Sequence, residues 1–233
     1  PPLFNGSAPR TGTAAGWRTL RLEVRFALAL PPSHRRLAVG LCKFVDLYGR
    51  GQNYWIQMDF TAIDFETANC SRGSICAVGL VRVENGETVA TLGTLVDPRA
   101  HFDWRYMSVH GITPDDVRGA PTFPEVWRKI RPFLSDNVVA HNAGFDMSCL
   151  RAALAEYRPP DAREFDYICT LSISRRLRGR GGNRLDELAR TFGIGGFRHH
   201  DAFEDAAVCA EIFKIFEART DVNAFKKRFF PPF

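Results

Sequence analysis

Residues 60–67 have the sequence FTAIDFET, whose alternation predicts a buried β-strand that ends in two acidic side chains. Successive side chains of a strand point to opposite faces, so Ile63 and Phe65 share one face and Asp64 and Glu66 share the other. Two carboxylates on one face repel each other unless a cation lies between them, and Mg²⁺ and Mn²⁺ prefer oxygen ligands. The pair alone is also compatible with two solvated acids on an edge strand.

The segments after this strand predict a mixed sheet. Residues 74–83 and 88–96 are rich in branched apolar residues and are separated by Asn85-Gly86, a strong hairpin signal. A capping box of Thr122 and Glu125 predicts the start of a helix. The predicted fold is α/β, with a three-stranded antiparallel meander, parallel strands and helices on both faces. Further strands are predicted at 137–141 and 165–169 (the last strand), helices at 122–133, 145–157, 170–177, 185–192 and 202–216, and a loop with a short helix at 101–121.

Charge separates an N-terminal segment from the rest of the chain. Residues 1–57 hold 8 Lys+Arg and 2 Asp+Glu, whereas residues 58–233 hold 23 and 24, so the net charge of +5 does not by itself predict nucleic-acid binding. The chain begins Pro-Pro and its first methionine is Met58. We expect residues 1–57 to be a poorly defined or disordered extension, or alternatively a small domain with short strands or a helix at 20–30 and 37–48. Residues 58–218 would form the main domain and 219–233 a basic and aromatic tail that either binds a partner or frays.

Cysteine spacing and hydropathy predict a cytoplasmic protein. The chain has six cysteines and no C-x-x-C pair, a pattern typical of reduced thiols and not of a disulfide framework or a zinc site. The apolar runs are too short to span a bilayer, and Glu23 and Arg25 interrupt the only candidate signal peptide. We therefore expect no membrane association.

Two later acids follow predicted turns. Asp146 ends the sequence HNAGFD and lies in the first turn of a predicted helix, and Asp205 ends HHDAFED at the start of the last helix. Either acid alone is explained by the helix dipole or by a solvated helix face. Together with the first pair they form an ordered set, D-x-E, F-D and H-x-x-x-x-D, whose members are Asp64, Glu66, Asp146, His200 and Asp205.

This set resembles the DEDDh family of 3′–5′ exonucleases, the DnaQ-like family of the proofreading epsilon subunit of bacterial DNA polymerase III. The resemblance covers residues 58 to about 216, with supporting matches in VHGIT at 109–113, APTFPEV at 120–126 and HNA at 141–143. It implies a ribonuclease H-like fold. It also implies hydrolysis of phosphodiester bonds from the 3′ end of nucleic acid, with release of nucleoside 5′-monophosphates, in replication proofreading or repair.

The resemblance further implies roles for the five residues. Asp64, Glu66 and Asp205 would bind one Mg²⁺ or Mn²⁺ ion, and Asp64 would bridge to a second ion that Asp146 helps to hold. His200 would be the general base that takes a proton from the attacking water, for which an ordinary histidine pKa near 6.5 is suitable. Spacing to Asp205 selects His200, so His199 is interpreted as its neighbour on the loop.

Substrate contacts are predicted at the residues adjoining the acids. Phe65 and Phe145 would either stack on terminal bases or pack in the core. His110 would lie near a phosphate or sugar or would serve only its loop. Thr67 and Asn142 belong to the matched motifs and are included among the predicted substrate-binding residues. A glycine-rich run of arginines would contact the nucleic-acid backbone or form a solvated loop; its members are Arg175, Arg176, Arg178, Arg180 and Arg184.

The sequence leaves three questions open, on the substrate, on the assembly and on catalysis itself. Single-stranded DNA is the favoured substrate, and RNA trimmed at its 3′ end is the alternative. The chain would act alone, as a homodimer or beside a polymerase partner. A non-catalytic interaction subunit with the same fold is the third possibility, and it would be expected to lack one of the five residues, all of which are present.

Overall fold

The computed structural model describes residues 57–233, together with the backbone of two short strands that pair antiparallel, β1 (Phe44–Val45) and β2 (Gly51–Gln52). Apart from these two strands, the predictions for residues 1–56, including the segments 20–30 and 37–48, lie outside the described residues. Among the described residues, no helix combines the length and the apolar character needed to cross a membrane.

A six-stranded mixed sheet forms the centre of the domain. Its strands are β3 (Phe60–Thr67), β4 (Ile75–Glu84), β5 (Glu87–Leu95), β6 (Asn137–Ala140), β7 (Phe165–Cys169) and β8 (Lys227–Phe229). Their order in the sheet is β5-β4-β3-β6-β7-β8. Strands β3, β4 and β5 form the predicted antiparallel meander, and β6 and β7 run parallel to β3. The α/β prediction is therefore confirmed, with strand ends within one residue or so of those expected.

The helices also lie where the sequence predicts them, with one exception. The predicted helix 122–133 begins with the expected capping box at Thr122 but ends at Ile130, and Arg131–Phe133 continue as a 3₁₀ helix. Pro132 has no N–H to donate to the preceding turn, which ends the α-helical hydrogen bonding. The bounds are α1 (Trp104–His110), α2 (Phe123–Ile130), α3 (Gly144–Tyr157), α4 (Thr170–Arg178), α5 (Leu185–Phe192) and α6 (Ala202–Glu217), with a second 3₁₀ helix at Val222–Phe225.

The two faces of β3 contribute to two different hydrophobic cores. Ile63 and Phe65 pack in the core shared with α2 and α3, whereas Phe60 and Ala62 pack in the core shared with α4, α5 and α6. The alternation predicted from FTAIDFET is thus present. By the same alternation, the face of Phe60 and Ala62 continues into the two acids at the end of the strand.

A glycine on β4 allows α6 to approach the sheet beside the first acid. Gly79 is the β4 residue that pairs with Asp64 of β3. A Cβ atom on Gly79 would lie 1.9 Å from the carbonyl oxygen of Ala202, the first residue of α6. Because no side chain is present, the start of α6 rests directly on β4, and Asp205 in its first turn comes close to the end of β3.

Residues 227–229 of the C-terminal tail are part of the sheet, which corrects the prediction that Phe165–Cys169 is the last strand and the alternative that the tail frays. β8 pairs antiparallel with β7. Phe229 is fully buried and its ring stacks on Phe165, with the ring centroids 4.8 Å apart. Arg228 donates to Asp166 at 2.7 Å on the outer side. A strand of three residues, two of them charged, is too short to show a periodic pattern, which explains why it was not predicted.

Candidate active site

Three elements bring the four predicted acids to one cleft with a volume of about 1310 Å³. Asp64 and Glu66 come from the end of β3. Asp146 is the third residue of α3, which follows β6, the parallel neighbour of β3. Asp205 is the fourth residue of α6. The acids are therefore far apart in the sequence and adjacent in the fold.

The carboxylates form a compact group of oxygen ligands. Asp64, Glu66 and Asp205 each offer one oxygen, and these oxygens lie within 4.8 Å of one another. Asp146 is 1 % exposed and accepts a hydrogen bond from the N–H of Phe65 at 3.2 Å. Among residues 57–233, Oδ2 of Asp64 and Oδ2 of Asp146 are buried without a hydrogen-bond partner. Unpaired buried carboxylate oxygens are costly, and this donor set fits hard divalent cations.

Burial and mutual repulsion disfavour the charged forms of these acids in the protein alone. Burial, with added repulsion from Asp146 and Glu66, raises the pKa of Asp64 well above its usual value. Burial and the nearby Asp205 raise the pKa of Glu66 to about 8. Burial raises the pKa of Asp146 to about 7, although its hydrogen bonds oppose the shift. A cation at this site would relieve the repulsion and would compete with protons for the same oxygens.

His200 lies at the edge of the acid cluster. Its backbone has φ of 69°, a left-handed conformation that is uncommon for a non-glycine residue. This turn directs its N–H to Oδ2 of Asp205 at 3.1 Å. The ring Nδ1 lies 4.0 Å from Oε1 of Glu66, and the side chain is 39 % exposed. Burial and the neighbouring His199 lower the pKa of His200, so its ring is neutral near pH 7 and able to accept a proton.

His199 lies in the same site, in closer contact with an acid than its interpretation as a loop neighbour suggested. Its Nδ1 is 3.1 Å from Oδ2 of Asp205, and its ring stacks on that of His200 with the centroids 3.9 Å apart. The contact depends on the loop before α6 turning back over the start of that helix. The spacing H-x-x-x-x-D selects His200 alone, so this contact of His199 was not predicted.

All five predicted substrate-binding residues line the same cleft as the acids. Both ring nitrogens of His110 contact the protein backbone, since Ile112 N–H donates to Nδ1 at 3.0 Å and Nε2 lies 3.2 Å from the carbonyl oxygen of Thr67 at the end of β3. This pattern assigns the proton to Nε2 and leaves neither nitrogen free for substrate. His110 therefore shapes the cleft wall.

The two phenylalanines differ in what they offer to a base. Phe65 is 1 % exposed within the core, which favours core packing over base stacking among the two predicted alternatives, because a buried ring has no free face. Phe145 is partly exposed, and the Arg72 guanidinium lies 4.5 Å from its ring centroid. Asn142 is exposed in the turn between β6 and α3, with φ of 62°.

Comparison with known proteins assigns the family. The RNase T family model, described as an exonuclease, matches residues 61–213. The epsilon subunit of DNA polymerase III from Aquifex aeolicus is 32 % identical over 163 residues, which cover 68 % of this chain and 80 % of that protein. PolC-type DNA polymerase III from Thermotoga petrophila is 32 % identical over 157 residues, but these cover 66 % of this chain and only 11 % of that protein. The chain therefore spans about a tenth of the length of the PolC relatives.

Solved structures share the fold. Exonuclease X in complex with 5′-overhanging duplex DNA is 25 % identical, with a TM-score of 0.57 and coverage of 71 % of this chain and 96 % of that chain. The nuclease domain of 3′hExo, a DEDDh family member bound to rAMP, has a TM-score of 0.59 at 19 % identity, with coverage of 74 % and 97 %. On the family match and the epsilon relative together, the chain belongs to the DnaQ-like exonuclease family, as the D-x-E, F-D and H-x-x-x-x-D motifs predicted.

Proposed function

We propose that this protein is a metal-dependent 3′–5′ exonuclease that removes nucleoside 5′-monophosphates from the 3′ end of nucleic acid. The observation that carries the proposal is the cluster of four acids, three buried and one (Asp64) partly buried, beside the partly exposed His200; two of the acids have a buried oxygen without a hydrogen-bond partner. The family match supports a nuclease, and nucleic acid is the substrate class that this cleft would take.

Each acid has a place in the proposed cation site. Asp64, Glu66 and Asp205 would hold one Mg²⁺ or Mn²⁺ ion, and Asp64 with Asp146 would hold a second. When bound, such ions stabilise the charge that develops on the attacking and leaving oxygens of an in-line displacement. The repulsion among the buried carboxylates supports this assignment, because they need positive charge before an anionic phosphate can approach.

His200 is proposed as the general base. Its neutral ring takes a proton from the water that attacks the terminal phosphorus, the new P–O bond forms, and the bond to the 3′ oxygen of the preceding nucleotide breaks. That leaving oxygen takes up a proton from solvent. The hydrogen bond from the His200 N–H to Asp205 fixes the loop, so the exposed ring stays at the mouth of the acid cluster.

Single-stranded DNA is the proposed substrate, and replication proofreading or repair the proposed role. The relatives named DNA polymerase III and the likeness to exonuclease X, which was solved with 5′-overhanging duplex DNA, support DNA over RNA. The DNA polymerase III relatives also support a polymerase partner over a homodimer. A cytoplasmic location, predicted from the cysteine pattern, is part of the proposal.

A substrate panel tests this function. The full chain is incubated with 5′-labelled single-stranded DNA, duplex DNA with a mismatched 3′ end, and RNA, each with Mg²⁺ or Mn²⁺ and again with EDTA. We expect trimming that is fastest on single-stranded DNA and stops with EDTA. Faster trimming of RNA would reassign the substrate, and no trimming of any strand with either metal would favour a non-catalytic interaction subunit.

A further inference from the structure

A cationic loop forms one wall of the same cleft. We call residues 179–184, which connect α4 to α5, the arginine loop. Arg180 and Arg184 of this loop line the cleft, and so does Arg175 on the last turns of α4. Arg176, the next residue of α4, is exposed but does not line it. The cleft therefore combines an acidic centre with a positively charged wall.

Buried hydrogen bonds give the arginine loop a defined shape. The Asn183 side-chain amide donates to the carbonyl oxygens of Gly179 and Gly181, both at 2.9 Å, and its Oδ1 accepts from the buried Ser174 hydroxyl. Gly179, Gly181 and Gly182 have φ of 79°, 99° and 63°, which side chains rarely allow. Arg180 thus projects from between two glycines whose carbonyl groups are held in place.

The arginines of this region differ in how their charges are used. Arg178 donates to the carbonyl oxygen of Gly182 at 2.9 Å, and Arg184 pairs with Asp186 at 3.2 Å. Arg175 and Arg180 are exposed, and neither has an acidic partner within residues 57–233 that meets the ion-pair distance. These two guanidinium groups are therefore available to an anionic ligand in the cleft.

The four acids of the cleft indicate which anionic ligand the two arginines would bind. Divalent cations would neutralise the carboxylates and the terminal phosphate, but the next phosphates of a strand would lie beyond them and need other positive charge. Guanidinium groups bind phosphates through paired, charge-assisted hydrogen bonds. A groove that combines such cations with exposed aromatic side chains is typical of single-strand binding. Tyr106 and the partly exposed Phe145 line the same cleft.

We infer that Arg175 and Arg180 bind the backbone phosphates on the 5′ side of the scissile bond, so that these two arginines make the enzyme select a polynucleotide strand over a mononucleotide ester. This inference rests on the proposed exonuclease function and specifies its substrate class. Arg178 and Asn183 hold the loop in shape, and Arg176 takes no part.

Kinetics on two substrates test the inference. Arg175→Ala, Arg180→Ala and the double variant of the full chain are compared on a long single-stranded DNA and on the nitrophenyl ester of thymidine 5′-monophosphate, which has no upstream phosphate. For the strand, we expect KM to rise about tenfold for each arginine with kcat nearly unchanged. For the ester, both constants should stay as in the wild type. Arg176→Ala is the matched control and should change neither substrate.

DNA binding at several salt concentrations tests the proposed phosphate contacts without measuring cleavage. Fluorescence anisotropy of a labelled DNA strand is measured in EDTA at several salt concentrations. Each phosphate contact on a single strand contributes about 0.7 to the magnitude of the slope of log K against log salt concentration. The slope measured for the double variant should therefore be smaller in magnitude by about 1.4. The inference is overturned if Arg176→Ala weakens binding equally or if ester hydrolysis falls with strand hydrolysis. If the wild type cleaves neither substrate, the proposed function fails, and the change in slope still tests the arginines.

Discussion

At the scale of single residues, the site is a set of buried charges that the protein alone leaves uncompensated. Asp64 is the central case, because one of its oxygens is buried without a hydrogen-bond partner and the residue lies among three other acids. Such a residue lowers the stability of the metal-free protein, and a bound cation offsets this loss.

Asp64→Asn is the variant that separates these two effects. We expect it to reduce exonuclease activity at least about a thousandfold, since it removes the carboxylate shared by both proposed cations. In EDTA its melting temperature should equal or exceed that of the wild type, because a repelled charge is gone. Activity assays measure the loss of exonuclease activity, and thermal unfolding in EDTA measures the melting temperature. An unfolded variant would contradict the expected melting temperature.

The two histidines should affect different kinetic constants. His200→Ala should lower kcat by about 10²- to 10⁴-fold, the range of a general base. His199→Ala should instead raise the Mg²⁺ concentration for half-maximal rate by about tenfold or more, because a residue in contact with a metal-binding acid orients that acid. Metal titrations of both variants provide the measurement. If His199→Ala lowers kcat as strongly as His200→Ala at saturating metal, the assignment of His200 as the base and of His199 as the residue that orients Asp205 is wrong.

The stability of the metal-free protein should fall as pH rises. The pKa of Glu66 is raised to about 8 and that of Asp146 to about 7, from 4.5 and 3.8, so the folded state holds more protons than the unfolded state between these limits. The two acids therefore contribute to the free energy of unfolding. This contribution is complete below about pH 4 and is lost as the pH rises through the pKa values of the folded state. Thermal unfolding in EDTA between about pH 5 and pH 8 should show this decrease. Mg²⁺ should stabilise most at the upper end, and a flat EDTA profile would contradict the burial of the acids.

At the scale of elements, the site depends on how closely α6 packs on β4. Gly79→Ala would place a methyl group 1.9 Å from the Ala202 carbonyl oxygen, so α6 has to shift and Asp205 moves with it. We expect a loss of about 1–3 kcal/mol or more in the free energy of unfolding, together with weaker metal binding. Denaturant titration measures the first quantity. Gly195→Ala is the control, since nothing lies within 4 Å of its Cβ position, and it should be nearly neutral.

Periodicity predicted most of these elements because their apolar faces are long enough to repeat. The alternation in residues 60–67 and the capping box at Thr122 each reappear in the structure. β8 was missed because three residues carry no period, and its pairing depends on a stacked contact with Phe165 far away in the sequence. The contact of His199 with Asp205 was not predicted for a related reason, since it depends on a loop conformation and not on spacing.

At the scale of the whole molecule, the fold brings opposite charges to separate parts of one cleft. The acids come from the ends of strands and the starts of helices, and the cations come from the segment between α4 and α5. The sequence predicted both groups, but only the folded chain shows that they line the same cleft and which arginines face it. The described residues 58–233 carry nearly balanced charge, so this local separation, and not net charge, favours a nucleic-acid strand.

The polarity and product of cleavage test the central claim most directly. One DNA strand is labelled at its 5′ end in one sample and at its 3′-terminal nucleotide in another, and both are followed with Mg²⁺. The four acids and His200 predict that the 3′ label is released at once as a nucleoside 5′-monophosphate while the 5′-labelled strand shortens one nucleotide at a time. Release of the 5′ label first, or an intact strand in both samples, would contradict this account.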